Sequence, residues 1–432
     1  MSRSMDTYSS NHKLNARLTD LKPSATLAIN ELSTQLKKQG REVYKLGFGQ
    51  SPFPVPDVVV DALRDNAHQK DYLPVVGLEE LRLQIANSYS GKLGINRTAD
   101  DVLIGPGSKE LIFTLQVALD PHLILPSPSW VSYAPQAQIA GAHTSWINTT
   151  AEEGWLLNPV LLDQFCRSDT SSPRLLLINY PNNPTGATFD EQHLTSLAEV
   201  CRKHNLIVLS DEIYGETHFE GQHRSLASYY PEGTIISTGL SKWCGAGGWR
   251  IGTFIMPPEL SYLRQAMAII ASETFTSVSA PIQHATVSAY QGGDQIVRYL
   301  SNSRQVLKVI GLFTHQFLTD HDVLTVKPTG GFYVFPDFGK YRVTLLAKGI
   351  ATSDQLCHQL LEKTGVALLP GSAFGRPEDE LTARLSYVDF DGQAALDYAA
   401  DRAPLSADEN TVVALAPQVK LGLEKIVEWL KS

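Results

Sequence analysis

Four stretches of the chain combine reactive residue types with the spacing of tight turns. In Ser237-Thr-Gly-Leu-Ser241-Lys242-Trp-Cys-Gly-Ala-Gly-Gly-Trp249-Arg250-Ile-Gly252, a lysine lies inside a glycine-rich apolar segment, unlike a solvated surface lysine. Burial lowers an amine's pKa and makes it a usable nucleophile and base. Arg250 follows eight residues later, 250 − 242 = 8, and a guanidinium there suits phosphate. In Ser210-Asp211-Glu212-Ile213-Tyr214, a carboxylate stands where an apolar run ends, with a tyrosine three residues on. Asn179-Tyr-Pro-Asn-Asn183-Pro184-Thr185-Gly186 makes a rigid turn that leaves an Asn amide pointing outward. Gly105-Pro-Gly107-Ser108-Lys109 precedes a helical pattern, where free backbone N–H groups form an anion cradle. Its spacing is not that of a Walker A loop.

These stretches need a scaffold that brings them together. Candidate strands are Val102–Ile104, His122–Leu125, Arg174–Ile178, Leu206–Leu209, Thr234–Ile236 and Ile251–Met256. Several are apolar throughout, the pattern of strands covered on both faces. Helical patterns fall between them at Lys109–Leu119, Asp190–His204 and Pro258–Ile270. This alternation predicts an α/β fold, a mainly parallel sheet flanked by helices, with ligands beyond the strands' carboxyl ends. Residues 294–320 form one long helical pattern. Beyond it, Leu324–Val326, Gly331–Phe335 and Ala383–Ser386 mix with helices in a smaller α+β region. Upstream, Ser24–Gly40 reads as a helix, residues 1–20 as a mobile arm, and Leu46–Pro56 as a Gly/Pro-rich turn segment. Asp389–Thr411 is acidic and alanine-rich, the pattern of a helix with an exposed loop.

Composition bounds the function. The 432 residues are 43% hydrophobic and 19% charged, an ordinary globular balance. The net charge of −9 argues against nucleic acid and anionic membrane as partners. Four well-separated cysteines offer neither a disulfide framework nor a zinc site, and the twelve histidines lack metal-ligand spacing. No apolar run is long enough for a membrane span, and no leader pattern opens the chain. A cytoplasmic, metal-free protein is the expectation.

Together, Asn183-Pro-Thr-Gly186, Asp211-Glu-Ile-Tyr214 and Ser241-Lys242 with Gly248-Trp-Arg250-Ile-Gly252 resemble the fold-type I pyridoxal-phosphate enzymes. More narrowly, the chain resembles the class I/II aminotransferases, typified by aspartate aminotransferase, from about Leu46 to Arg384. The resemblance implies ping-pong transamination between an L-amino acid and a 2-oxo acid, with pyridoxal 5'-phosphate as cofactor. Lys242 would then hold the cofactor and, once released, shuttle the substrate proton. Asp211 would pair with the ring nitrogen, while Asn183 and Tyr214 would hydrogen-bond the ring oxygen. Trp130, in Pro128-Ser-Trp-Val-Ser-Tyr133, would stack on the ring. Gly107, Ser108, Lys109, Ser241 and Arg250 would surround the phosphate. Tyr72, in Asp71-Tyr-Leu-Pro-Val-Val-Gly-Leu78, would reach that phosphate from a second subunit, which implies a homodimer with shared active sites. Arg384, in Ala-Arg-Leu-Ser-Tyr387, would clamp the substrate carboxylate, aided by Gly49 and Asn183. The implied division is 1–48 as arm and part of a small domain, 49–305 as the large cofactor domain, and 306–432 as the linking helix and small C-terminal domain.

The chain departs from the family pattern at two places. Gly239 falls where some members place a phosphate-binding serine, so Ser237 or Ser241 must substitute. The glycines after Lys242 serve either a pliable phosphate loop or clearance for the N-terminal arm. Phe48, Phe53, Trp130 and Phe374 are expected near the substrate, with Phe332 and Tyr333 at its entrance. Cys244 reads as a small packed residue, and His218 and His223 read as surface residues. Arg224, Arg264 and Arg298 are unassigned cations, so side-chain specificity stays open. A carbon–sulfur β-lyase and a non-catalytic cofactor-binding regulator are the alternative functions.

Overall fold

The computed structural model describes residues 15–18, 21 and 25–432. Most of the expected N-terminal arm lies outside the described residues. Its described part includes a single turn, Ala16–Leu18, seated on the helix Tyr133–Ala140 through the Arg17 guanidinium and the Ala140 carbonyl, 3.0 Å apart.

Among the described residues, ten strands form two sheets. They are β1 (Val102–Gly105), β2 (His122–Ser127), β3 (His143–Asn148), β4 (Arg174–Asn179), β5 (Ile207–Asp211), β6 (Thr234–Gly239), β7 (Gly252–Ile255), β8 (Tyr333–Val334), β9 (Leu369–Pro370) and β10 (Ala383–Ser386). The seven-stranded sheet runs β1-β7-β6-β5-β4-β2-β3. Its pairs from β3 through β6 are parallel, whereas β7 is antiparallel to both β6 and β1. Because β7 turns back, its first residue lies at the same sheet end as the last residues of β4, β5 and β6.

The apolar runs form buried strands because helices cover both faces. In β4, Leu175 and Leu177 pack with Leu111 and Leu115 on one side, while Leu176 and Ile178 pack with Leu194 and Leu197 on the other. Side chains alternate between faces along a strand, so each run supplies two cores at once. The edge strand β3 is not among the expected strands; its residues, His-Thr-Ser-Trp-Ile-Asn, are mostly exposed or half-buried and so carry no apolar run. The expected strand Leu324–Val326 does not form; only a bridge joins Leu324 to Asp337.

The small antiparallel sheet, β8-β10-β9, draws its core from both ends of the chain. Ile29 and Leu36 of the helix Ala25–Lys38 pack with Phe335, Leu369 and Phe374. Ser386 donates its N–H to the Leu46 carbonyl at 2.7 Å, and Ala367 donates to Tyr44 at 3.0 Å. These bonds bring the Gly47–Gly49 turn against β10. The helix Asp294–Asp320 spans the expected residues as one uninterrupted element of 27.

Candidate active site

A cavity of about 630 Å³ opens beyond the carboxyl ends of β4, β5 and β6, between the two sheets. Lys242, Asp211, Asn183, Tyr214, Ser241, Arg250, Trp130, Ser108, Lys109, Gly49 and Arg384 all line it. Gly107 lies beside them against Arg250. Tyr72 does not reach its own chain's cavity and is 90% exposed.

Lys242 stands in the loop between β6 and β7. Its Nζ donates to the Gly49 carbonyl at 2.6 Å and lies 5.4 Å from the Tyr214 ring centre. Burial lowers its pKa to about 8, helped by the nearby charges of Arg384, Arg250 and Lys109. Asp211 ends β5, nearly buried, and accepts a 2.6 Å hydrogen bond from the Tyr133 hydroxyl. Burial pushes its carboxyl up to about 6, against the opposing pull of the Tyr133 hydrogen bond. Tyr133 closes the segment Pro128–Tyr133, which the sequence singles out only for Trp130. The usable signal was its place one helical turn after Trp130.

The β4 turn is held by Asn179, whose Oδ1 accepts from the Asn183 N–H at 2.8 Å, and by Gly186 at φ 74°. It presents the Asn183 amide to Arg384 Nη1 at 3.0 Å on one side and to the Tyr214 hydroxyl at 3.4 Å on the other. Arg384 also donates to the Gly47 carbonyl at 2.7 Å, while its buried Nε has no partner among the described residues.

The helix Ser108–Leu119 starts at Gly107, φ 91°, with no side chain capping its free N–H groups. Arg250, itself at φ 55°, reaches across to the Pro106 carbonyl at 3.3 Å. A Cβ on Gly107 would fall 2.1 Å from Arg250 Nη2, and one on Gly252 would fall 2.2 Å from the Ser108 nitrogen. The glycines therefore keep a backbone-lined anion cradle open. Of the two candidate serines, Ser241 lines the cavity, whereas Ser237 is fully buried beside Asp211 in the sheet. Gly245 gives clearance to Phe53 and Pro54, since a Cβ there would lie 2.3 Å from the Phe53 carbonyl oxygen. Gly247 and Gly248 line the cavity itself.

Some expectations need correction. Phe53 packs away from the cavity against Tyr299 and Phe390, and Phe374 is buried beneath Arg384 at 5.3 Å. His218 and His223 are half-buried rather than free on the surface. His223 Nε2 meets the buried Glu212 carboxylate at 2.9 Å, and burial lowers the His218 pKa to about 4. Cys244 is packed as expected, its thiol pushed up to about 12 by burial.

The donor set fits pyridoxal phosphate: an uncapped helix start with Arg250 for a phosphate, a buried carboxylate for a ring nitrogen, and a low-pKa lysine between them.

Comparison with known proteins agrees with this arrangement. The family model for aminotransferase class I and II matches residues 41–402. The chain belongs to the class I and II aminotransferase family. Its activity is pyridoxal-phosphate-dependent transamination, with amino acids and oxo acids as substrates. An aspartate aminotransferase of Geobacillus stearothermophilus is 33% identical over 386 residues, 87% of this chain and 94% of the relative. The aspartate/prephenate aminotransferase of Thermus thermophilus is 32% identical, again over 87% of this chain and 94% of its own. The aspartate aminotransferase of that organism, solved with maleate, superposes with a TM-score of 0.82 at 29% identity, covering 96% of this chain and 99% of the other. The seven-stranded sheet flanked by helices matches the aspartate aminotransferase fold.

Proposed function

We propose that this aminotransferase acts on dicarboxylic amino acids such as aspartate and on the matching oxo acids. The observation that carries this reading is Lys109. Its Nζ lies 4.9 Å from the Trp130 ring centre, with no carboxylate partner among the described residues, in the same cavity as Arg384. Burial and Arg250 draw its pKa down. Two cations in one cavity suit two carboxylates: Arg384 for the one beside the amine, Lys109 for the distal one. Lys109, first expected on the phosphate, is thus assigned to substrate. The relatives named as aspartate aminotransferases, and the neighbour solved with the four-carbon dicarboxylate maleate, support this choice.

When bound, the cofactor supplies an electron sink for charge developing at the substrate's Cα. Lys242 holds it and, once freed, takes the Cα proton at Nζ. Asp211 holds the proton of the ring nitrogen, and Tyr133 keeps that carboxylate oriented. Asn183 and Tyr214 donate to the ring oxygen, and Trp130 covers the ring face. Gly107, Ser108, Ser241 and Arg250 take the phosphate. Arg384, with Gly49 and Asn183, fixes the substrate carboxylate and so the direction of the Cα–H bond. The small domain, built from the part of 1–48 beyond the arm and from the part of 306–432 beyond the linking helix, closes on the large domain, 49–305, and excludes water. Tyr72 projects to the phosphate of a second copy, making a homodimer. The setting is the cytoplasm; no helix among the described residues is long and apolar enough to cross a membrane.

The test is a donor panel assayed for oxo-acid product. Aspartate and glutamate are expected to exceed neutral and aromatic donors in kcat/KM. Lys109→Gln should lower that preference about 10–100-fold, the worth of one charge-assisted hydrogen bond. Faster turnover of aromatic donors by the unmodified enzyme would replace the reading. Pyruvate and ammonia released without an oxo-acid acceptor would instead point to the β-lyase.

A further inference from the structure

Tyr214 has two partners at its hydroxyl, and their donor and acceptor roles can be worked out. Arginine only donates, so the Asn183 atom facing Arg384 Nη1 at 3.0 Å is Oδ1. That fixes the amide, and its Nδ2 faces Tyr214 Oη as a donor at 3.4 Å. The second partner is Tyr333 on β8, whose Oη stands 2.8 Å from that of Tyr214. Tyr333 is fully buried. Arg384 lies over its ring at 4.7 Å, and among the described residues no acceptor other than Tyr214 meets its hydroxyl. Gly49 covers that hydroxyl so closely that a Cβ would fall 2.6 Å away. If Tyr214 donated to Tyr333, the Tyr333 proton would be buried without an acceptor, an arrangement burial disfavours.

We propose that Tyr333 is a positioning residue: it donates to the Tyr214 oxygen and so leaves the Tyr214 proton directed into the cavity. This rests on the reading that the cofactor's ring oxygen lies within reach of Tyr214. Tyr214 then accepts from Asn183 and Tyr333 and donates once, to that oxygen. Accepting two bonds strengthens the one it donates, because hydrogen bonds in a chain polarise one another. The charged groups around the Tyr214 ring are Lys242 from the β6–β7 loop, Arg384 on β10 and Asp211 on β5, with Lys109 and Arg250 acting on Lys242. Burial holds the Tyr214 hydroxyl well above its usual pKa, so it stays protonated. The small sheet, which carries Arg384 for the substrate, thus also tunes a residue of the large sheet's site.

The test is the pH midpoint of the visible absorbance change of the enzyme loaded with pyridoxal phosphate. A weaker Tyr214 bond stabilises the ring oxyanion less, so Tyr333→Phe should raise that midpoint by about 0.3–1 pH unit. In a Tyr214→Phe background the same change should leave the midpoint where it was. Gly49→Ala displaces the Tyr333 hydroxyl without removing it and should shift the midpoint in the same direction. An unmoved midpoint in Tyr333→Phe, or an equal shift in the Tyr214→Phe background, overturns the proposal. Unmodified protein that develops no visible band with pyridoxal phosphate would sink the cofactor reading beneath it.

Discussion

An amine that serves as nucleophile and base must be uncharged for much of the time, and Lys242 is held in that regime by burial. Its pKa of about 8 sits far below a solvated lysine, because desolvation and three neighbouring cations all disfavour the ammonium form. The sign follows directly. Below pH 8 the amine is charged and cannot attack; above it the neutral form dominates. The rate at which cofactor-free protein captures pyridoxal phosphate should therefore rise about tenfold per pH unit below 8 and level off above it. Stopped-flow absorbance measures this, and a rate constant with pH across 6–9 would show that the lysine is not the group attacked through. At this scale residue type plus spacing was enough to single out Lys242, Asp211, Asn183, Arg250 and Arg384, which the fold brings to one cavity. The sequence was illegible for Tyr133 and Tyr333. Both act through hydrogen bonds to residues 78 and 119 positions away, which no local pattern encodes.

At the level of elements, the site depends on turns that bring backbone close to side chain. Gly107 is the sharpest case, combining φ 91° with a Cβ position 2.1 Å from Arg250 Nη2. The obstructing atom is the end of a flexible side chain, so Gly107→Ala should displace Arg250 rather than unfold the chain. We expect a stability loss of about 1–2 kcal/mol from the positive φ. Cofactor affinity should fall at least tenfold, the worth of a charge-assisted hydrogen bond of about 1.5–3 kcal/mol. Thermal melts of the cofactor-free protein and equilibrium dialysis separate the two effects; unchanged affinity would remove Arg250 from the phosphate site. Buried strands such as β4 were legible because helices on both faces demand an apolar residue at every position. The exposed β3 and the failed strand at Leu324 were not, since an edge or a bridge is decided by neighbours distant in sequence.

On the scale of the whole molecule, a 90% exposed tyrosine is the feature a single chain leaves unexplained. The proposed dimer accounts for it, and sedimentation should give a particle of twice the 47.4 kDa chain mass. If Tyr72 completes the neighbouring site, refolding Lys242→Ala together with Tyr72→Ala should create mixed dimers with one intact site. Their activity should exceed the sum of the two variants alone; a merely additive result would leave each site within one chain. The small sheet's dependence on both chain ends has a further consequence, for the order of synthesis. Arg250 completes the phosphate cradle 384 − 250 = 134 residues before Arg384 is made. A ribosome therefore delivers the cofactor's contacts well ahead of the substrate clamp. Gly47 and Gly49 are made long before their arginine, so a product truncated between Arg250 and Arg384 keeps the phosphate cradle's residues and lacks the clamp.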